Sequence, residues 1–146
     1  MAYTIVVGYD GSAHSLKALD TAVEIAKLMP DGEILIACAQ DRPAPAIGFR
    51  GPDFGVEEMW EKVEKEINAE LDLAAGRVRE AGVKVATACT PDRADAAVVN
   101  IAQDAGARMI VVGARGVGSR EGQKTVLGST ASRILHEAGG IPVLVV

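Results

Sequence analysis

Aromatic residues are scarce in this chain, with one Trp, two Tyr and two Phe among 146 residues. A core without large rings must be filled by small and branched aliphatic side chains packed closely, which suits a sheet covered by helices. Cysteine is nearly absent. Cys38 and Cys89 lie inside apolar runs, with no C-x-x-C spacing and no histidine close in sequence. They read as reduced core thiols, not as a disulfide staple or a metal site. Of the two histidines, His14 reads as solvated, and His136 beside Glu137 has no second ligand spaced for a metal. Positive charge is also short: 15 Lys and Arg against 20 Asp and Glu leave a net charge of −5. Nucleic acid is therefore not expected as a partner, because a phosphate backbone demands a concentrated basic face. No apolar run is long enough to cross a membrane. The opening Met-Ala-Tyr-Thr-Ile-Val-Val lacks the basic flank and the length of a signal sequence, so the expected location is cytoplasmic.

What is present is aliphatic: 49% of the residues are hydrophobic. The length suits one domain over residues 1–146, with no internal repeat and no linker. Tyr3 to Tyr9 is a β-branched run without alternation, which fits a strand buried on both faces. Asp10-Gly11-Ser12 makes a turn and a helix cap. Leu16, Leu19, Val23 and Ala26 then mark one face of a helix from Ala13 to Leu28, stopped by Pro30-Asp31-Gly32. Glu33 to Ala39 reads as a second strand. Asp41 to Gly55, with three prolines and three glycines, reads as a long loop of the kind that forms lids. Val56, Trp60, Val63, Ile67, Leu71, Ala74 and Val78 predict a helix over Val56 to Ala81 packed on the sheet. Strands at Val83 to Cys89, Met109 to Gly113 and Ile141 to Val146, and helices at Arg93 to Ala105 and Gly128 to Ala138, complete the alternation. Such a pattern demands an α/β fold: a single doubly wound domain with a parallel sheet, right-handed crossovers and helices on both faces. Its ligand crevice lies outside the carboxyl ends of the strands, at the turns after strands one, two and four.

At one of those turns stands Val111-Val112-Gly113-Ala114-Arg115-Gly116-Val117-Gly118, followed later by Gly128-Ser129-Thr130 at a helix start. Clustered glycines after a strand, with hydroxyls at a helix N-terminus, build a backbone cradle for phosphate. Arg115, Arg120, Lys124 and Arg133 gather there as a small-anion footprint. Three familiar phosphate motifs fail. Gly118 and Gly122 enclose too few residues for a Walker A loop, and Gln123 separates Gly122 from Lys124-Thr125. A dinucleotide fingerprint needs glycine where Glu121 stands and belongs to the first strand. A phosphoacceptor receiver needs an Asp after the third strand, where Cys89-Thr90 stand.

The spacing Gly113-x2-Gly116, then Gly128-Ser129 before an amphipathic helix, combines with Val7-Gly8-Tyr9-Asp10-Gly11-Ser12 and Ile141-Pro142-Val143-Leu144-Val145-Val146. Together these resemble the universal stress protein family over essentially the whole chain, and within it the branch that binds ATP. The resemblance implies a five-stranded parallel sheet of order 3-2-1-4-5 with four helices. It also implies a homodimer through the final strand, Ile141 to Val146, and a regulatory role in the stress response with a protein partner still to be identified. The implied ligand is ATP or another adenine nucleotide such as AMP or cyclic AMP, with Mg2+ as a companion of the phosphates. By resemblance, Asp10, reached through Gly8 and Tyr9, lies near the ribose, and Ala39 faces the adenine. Val112, Gly113, Arg115 and Gly116 meet the ribose and phosphate region, and Gly128, Ser129 and Thr130 close on the phosphates. One departure stands out: eleven residues separate Gly116 from Gly128, where the family's pattern places nine. The loop Val117 to Leu127 is thus about two residues longer than the pattern.

No catalytic set and no metal-ligand set is expected. The chain offers no Ser-His-Asp or Cys-His arrangement and no paired carboxylates to argue from. Two alternatives stand beside the nucleotide reading. One is a stress-related protein-interaction dimer with a vestigial pocket. The other is a weak ATPase, with slow hydrolysis or autophosphorylation on Ser or Thr as the most that the pocket would support.

Overall fold

A computed structural model describes residues 2–40, 56–115 and 127–146. Strands and helices alternate in the order β1 (Tyr3–Gly8), α1 (Ala13–Leu28), β2 (Gly32–Ala39), α2 (Val56–Glu80), β3 (Lys84–Thr90), α3 (Ala94–Asp104), β4 (Met109–Val112), α4 (Ser129–Glu137) and β5 (Val143–Val145). Every strand pair is parallel, and the sheet runs β3-β2-β1-β4-β5. That is the order the resemblance implies. The chain steps from β1 to β2 and β3 on one side, then returns to β4 and β5 on the other. The carboxyl ends of β1 and β4 consequently flank the switch point, with Val7 in register with Val111.

The aliphatic composition is used on both faces of the sheet. Ile5, Val7, Ile34, Ile36 and Val111 point to a core shared with Leu19 and Ala22 of α1 and Leu71 and Val78 of α2. Val6, Ala37, Ile110 and Val112 point the other way, to Val98 and Ile101 of α3 and Ile134 of α4. Because Ile5, Val6 and Val7 are all fully buried, β1 shows no polar alternation. Ser12 caps α1 by accepting a hydrogen bond from the Ser15 backbone N–H at 3.1 Å.

Three expectations need correction. First, the apolar stripe of α2 is buried only over its second half, at Leu71, Ala74 and Val78, while Trp60, Val63 and Ile67 are half-buried. Second, β3 is an edge strand with Lys84, Ala86 and Thr87 exposed, so Cys89 is half-buried, unlike the buried Cys38. Third, the last strand is shorter than Ile141 to Val146: Pro142 has no N–H to give, and contributes its carbonyl to Ile110 N–H at 2.9 Å. The long loop from Asp41 to Gly55 and the stretch from Gly116 to Val126, with Arg120 and Lys124, lie outside the described residues.

Candidate functional site

A cavity of about 640 Å³ opens at the carboxyl end of the sheet, a size usual for small-molecule sites. Its floor is the switch point itself, where Gly8 and Tyr9 leave β1, Cys38 and Ala39 end β2, and Val112 and Gly113 end β4. Ile67, Glu70 and Leu71 of α2 form one wall. Gly128, Ser129, Thr130 and Ile134 of α4 form another. The structure thus brings ten of the sequence-nominated residues to one cavity: Gly8, Tyr9, Asp10, Ala39, Val112, Gly113, Arg115, Gly128, Ser129 and Thr130. Gly116 lies outside the described residues.

Backbone bonds hold the β4 and α4 sides together. Gly128 N–H donates to the Ala114 carbonyl at 2.7 Å, and Ala114 N–H donates to the Val146 carbonyl at 2.8 Å. The first bond inside α4 runs from Ser132 N–H to the Gly128 carbonyl. The N–H groups of Ser129, Thr130 and Ala131 therefore have no acceptor within the helix. Gly128 supplies no side-chain cap. These amides, the helix dipole and the Arg115 guanidinium make this end of the cavity electropositive.

The α2 side of the cavity is acidic. Asp10 Oδ1 accepts a hydrogen bond from Ser12 N–H at 2.9 Å, closing the turn into α1. Glu70 reaches the same turn from α2: an ideal Cβ on Gly11 would lie 3.0 Å from Glu70 Oε2. Gly11 has φ +81°, so a side chain there would be strained as well as crowded. Burial, and then the charges of Glu70 and Asp10, push the Tyr9 phenol above its ordinary range. Sequence reasoning missed Glu70 because α2 carries so many solvated carboxylates. The signal was nevertheless available: Glu70 stands three residues after Ile67 and four before Ala74, on the apolar stripe.

Cys38 also lines the cavity, paired in register with Cys89. Burial, above all, pushes the Cys38 thiol up to about 12. Folding favours its protonated form, so the associated stability is complete below pH 9 and is lost as pH rises toward 12. In a Cys89→Ser variant at pH 8, which keeps the burial but removes the contribution of Cys89, the Cys38 thiolate fraction should still fall on folding. Alkylation by iodoacetamide should therefore be slower in the folded protein than in the urea-unfolded chain. Equal rates in the two states would contradict this environment.

Among the described residues, no group of three or more His, Cys, Asp or Glu is placed to hold a metal ion. None of the described helices is long and apolar enough to cross a membrane.

Comparison with known proteins adds an independent line. The family model described as "Universal stress protein family" matches residues 1–146. The universal stress protein YxiE of Bacillus subtilis (strain 168) is 28% identical over 97% of this chain and 97% of its own length. A universal stress protein solved in complex with cAMP superposes with a TM-score of 0.68 at 27% identity, covering 98% of this chain and 95% of that one. One from Archaeoglobus fulgidus, solved in complex with dAMP, gives a TM-score of 0.64 at 20% identity, covering 99% of this chain and 97% of that one. Strand order, the glycines at the switch point and a whole-chain family match converge, and this chain belongs to the universal stress protein family.

Proposed function

We propose that this protein is a regulatory protein of the stress response that binds an adenine nucleotide in the switch-point cavity and acts as a homodimer. The observation that carries the reading is the polarity of the cavity. The open N-terminus of α4 and Arg115, which follows β4, line it together with Asp10, which follows β1, and Glu70 of α2, and α2 and α4 cover opposite faces of the sheet. A ligand with an anionic tail and an uncharged body rich in hydroxyl donors fits that gradient in one direction only. Phosphates belong at Arg115, Gly128, Ser129 and Thr130, because carboxylates at the other end would repel them. The ribose belongs toward Asp10, and the base against Ala39 and Cys38. The relatives solved with cAMP and dAMP support an adenine nucleotide as the ligand. Any Mg2+ travels with the phosphates and keeps most of its ligands from them and from water.

The dimer reading rests on β5, an edge strand whose Val143, Leu144 and Val145 remain half-buried. Pairing across a two-fold axis covers that edge.

Calorimetry with AMP, ATP and cyclic AMP tests the ligand. Saturable binding of at least one is expected. Arg115→Ala should weaken it by about tenfold to a hundredfold, the cost of a lost charge-assisted hydrogen bond. No binding of any of the three by clean protein would leave the cavity vestigial and overturn the reading.

A further inference from the structure

Resting on the adenine-nucleotide reading, we infer that Glu70 of α2 is a specificity residue for the sugar, accepting a ribose hydroxyl beside Asp10 and selecting ribonucleotides over deoxyribonucleotides. The two carboxylates come from different elements. Asp10 rises from the turn after β1, whereas Glu70 descends from α2 onto that turn, within 3.0 Å of the Cβ position of Gly11. Both line the same cavity. Asp10 Oδ1 accepts from Ser12 N–H, which holds this carboxylate in the turn, and Glu70 places a second set of acceptors beside it from another element. A Cβ at position 11 would crowd Glu70 Oε2, which shows how near this carboxylate lies to the turn. Neither carboxylate suits an anion, and both suit a neutral group with paired O–H donors, which is the sugar end of a nucleoside phosphate.

The test compares dissociation constants for AMP, 2′-deoxy-AMP and 3′-deoxy-AMP in the wild type, Glu70→Gln and Glu70→Ala. Wild type should prefer AMP to 2′-deoxy-AMP by about tenfold, with 3′-deoxy-AMP reporting the other hydroxyl. In Glu70→Ala that ratio should fall toward one, chiefly through weaker AMP binding, and Glu70→Gln should restore part of it as a neutral acceptor. Melting temperatures of the unliganded variants show whether the fold is intact. A discrimination ratio unchanged in Glu70→Ala, or absent in wild type, overturns the role of Glu70 while nucleotide binding itself stands. Failure of wild type to bind any of the three overturns the underlying reading as well, and is told apart by that result.

Discussion

Gly113→Ala should lower the melting temperature of the unliganded protein by on the order of 10 °C. An ideal Cβ on Gly113 lies 2.8 Å from the carbonyl carbon and the Cβ of His14, and 2.9 Å from the His14 oxygen. Two of these atoms are backbone in the first turn of α1, which is fixed by the Ser12 cap. The first turn and the end of β4 must therefore separate, an overpacking cost of about 3 kcal/mol. For a chain of this size, that cost corresponds to the stated shift. Thermal denaturation by circular dichroism measures it, and a shift within 2 °C, well inside the scale of a harmless substitution, would contradict the packing. This glycine thus has a duty that precedes any ligand. Nucleotide loss in a Gly113 variant would report a damaged switch point before it reported a lost phosphate contact. Arg115→Ala, which leaves the β4–α1 contact alone, is the cleaner probe.

Gly32→Ala should cost more still, on the order of 4 kcal/mol, beyond the usual range for a single added methyl group. The Cβ would fall 2.1 Å from the Ala26 carbonyl oxygen and 2.8 Å from its carbon. That oxygen is already engaged by Met29 N–H, and Gly32 N–H in turn donates to the Met29 carbonyl. The reversal from α1 into β2 is thus made of backbone against backbone, with Asp31 at φ +56° inside it. Nothing flexible can yield. Urea unfolding should show a lower midpoint with an unchanged slope, and a loss under 1 kcal/mol would contradict the geometry.

Both glycines show what the sequence could and could not convey. Pro30-Asp31-Gly32 announces a helix stop by composition alone. That the stop also demands a bare Cα against Ala26 follows from tertiary approach, which no local pattern encodes. Gly113 read as a phosphate-loop glycine, whereas its nearest neighbours are backbone and Cβ atoms of α1. The aliphatic runs of β1, β2 and β4 were legible because burial on both faces leaves little room for polar residues. Cys89 read as a core thiol, and the exposure of β3 around it was not legible. Its Ala and Thr side chains tolerate either a core or an edge, and the edge position is set by strand order. The ten nominated residues of the cavity were legible because a parallel sheet gathers the ends of its strands at one place. Glu70 was not: it comes from a helix wall, and helix α2 hides one site carboxylate among many solvated ones.

The central claim is that the cavity binds an adenine nucleotide with its phosphate at the start of α4 and its sugar toward Asp10 and Glu70. Titrating ¹⁵N-labelled protein with AMP and following the amide resonances of Ser129, Thr130 and Gly11 tests it directly. All three should shift saturably with one dissociation constant. Adenosine, which lacks the phosphate, should move Gly11 and leave Ser129 and Thr130 nearly still. Saturation by AMP without movement of the α4 amides, or no saturable shift at any of the three, would contradict the account.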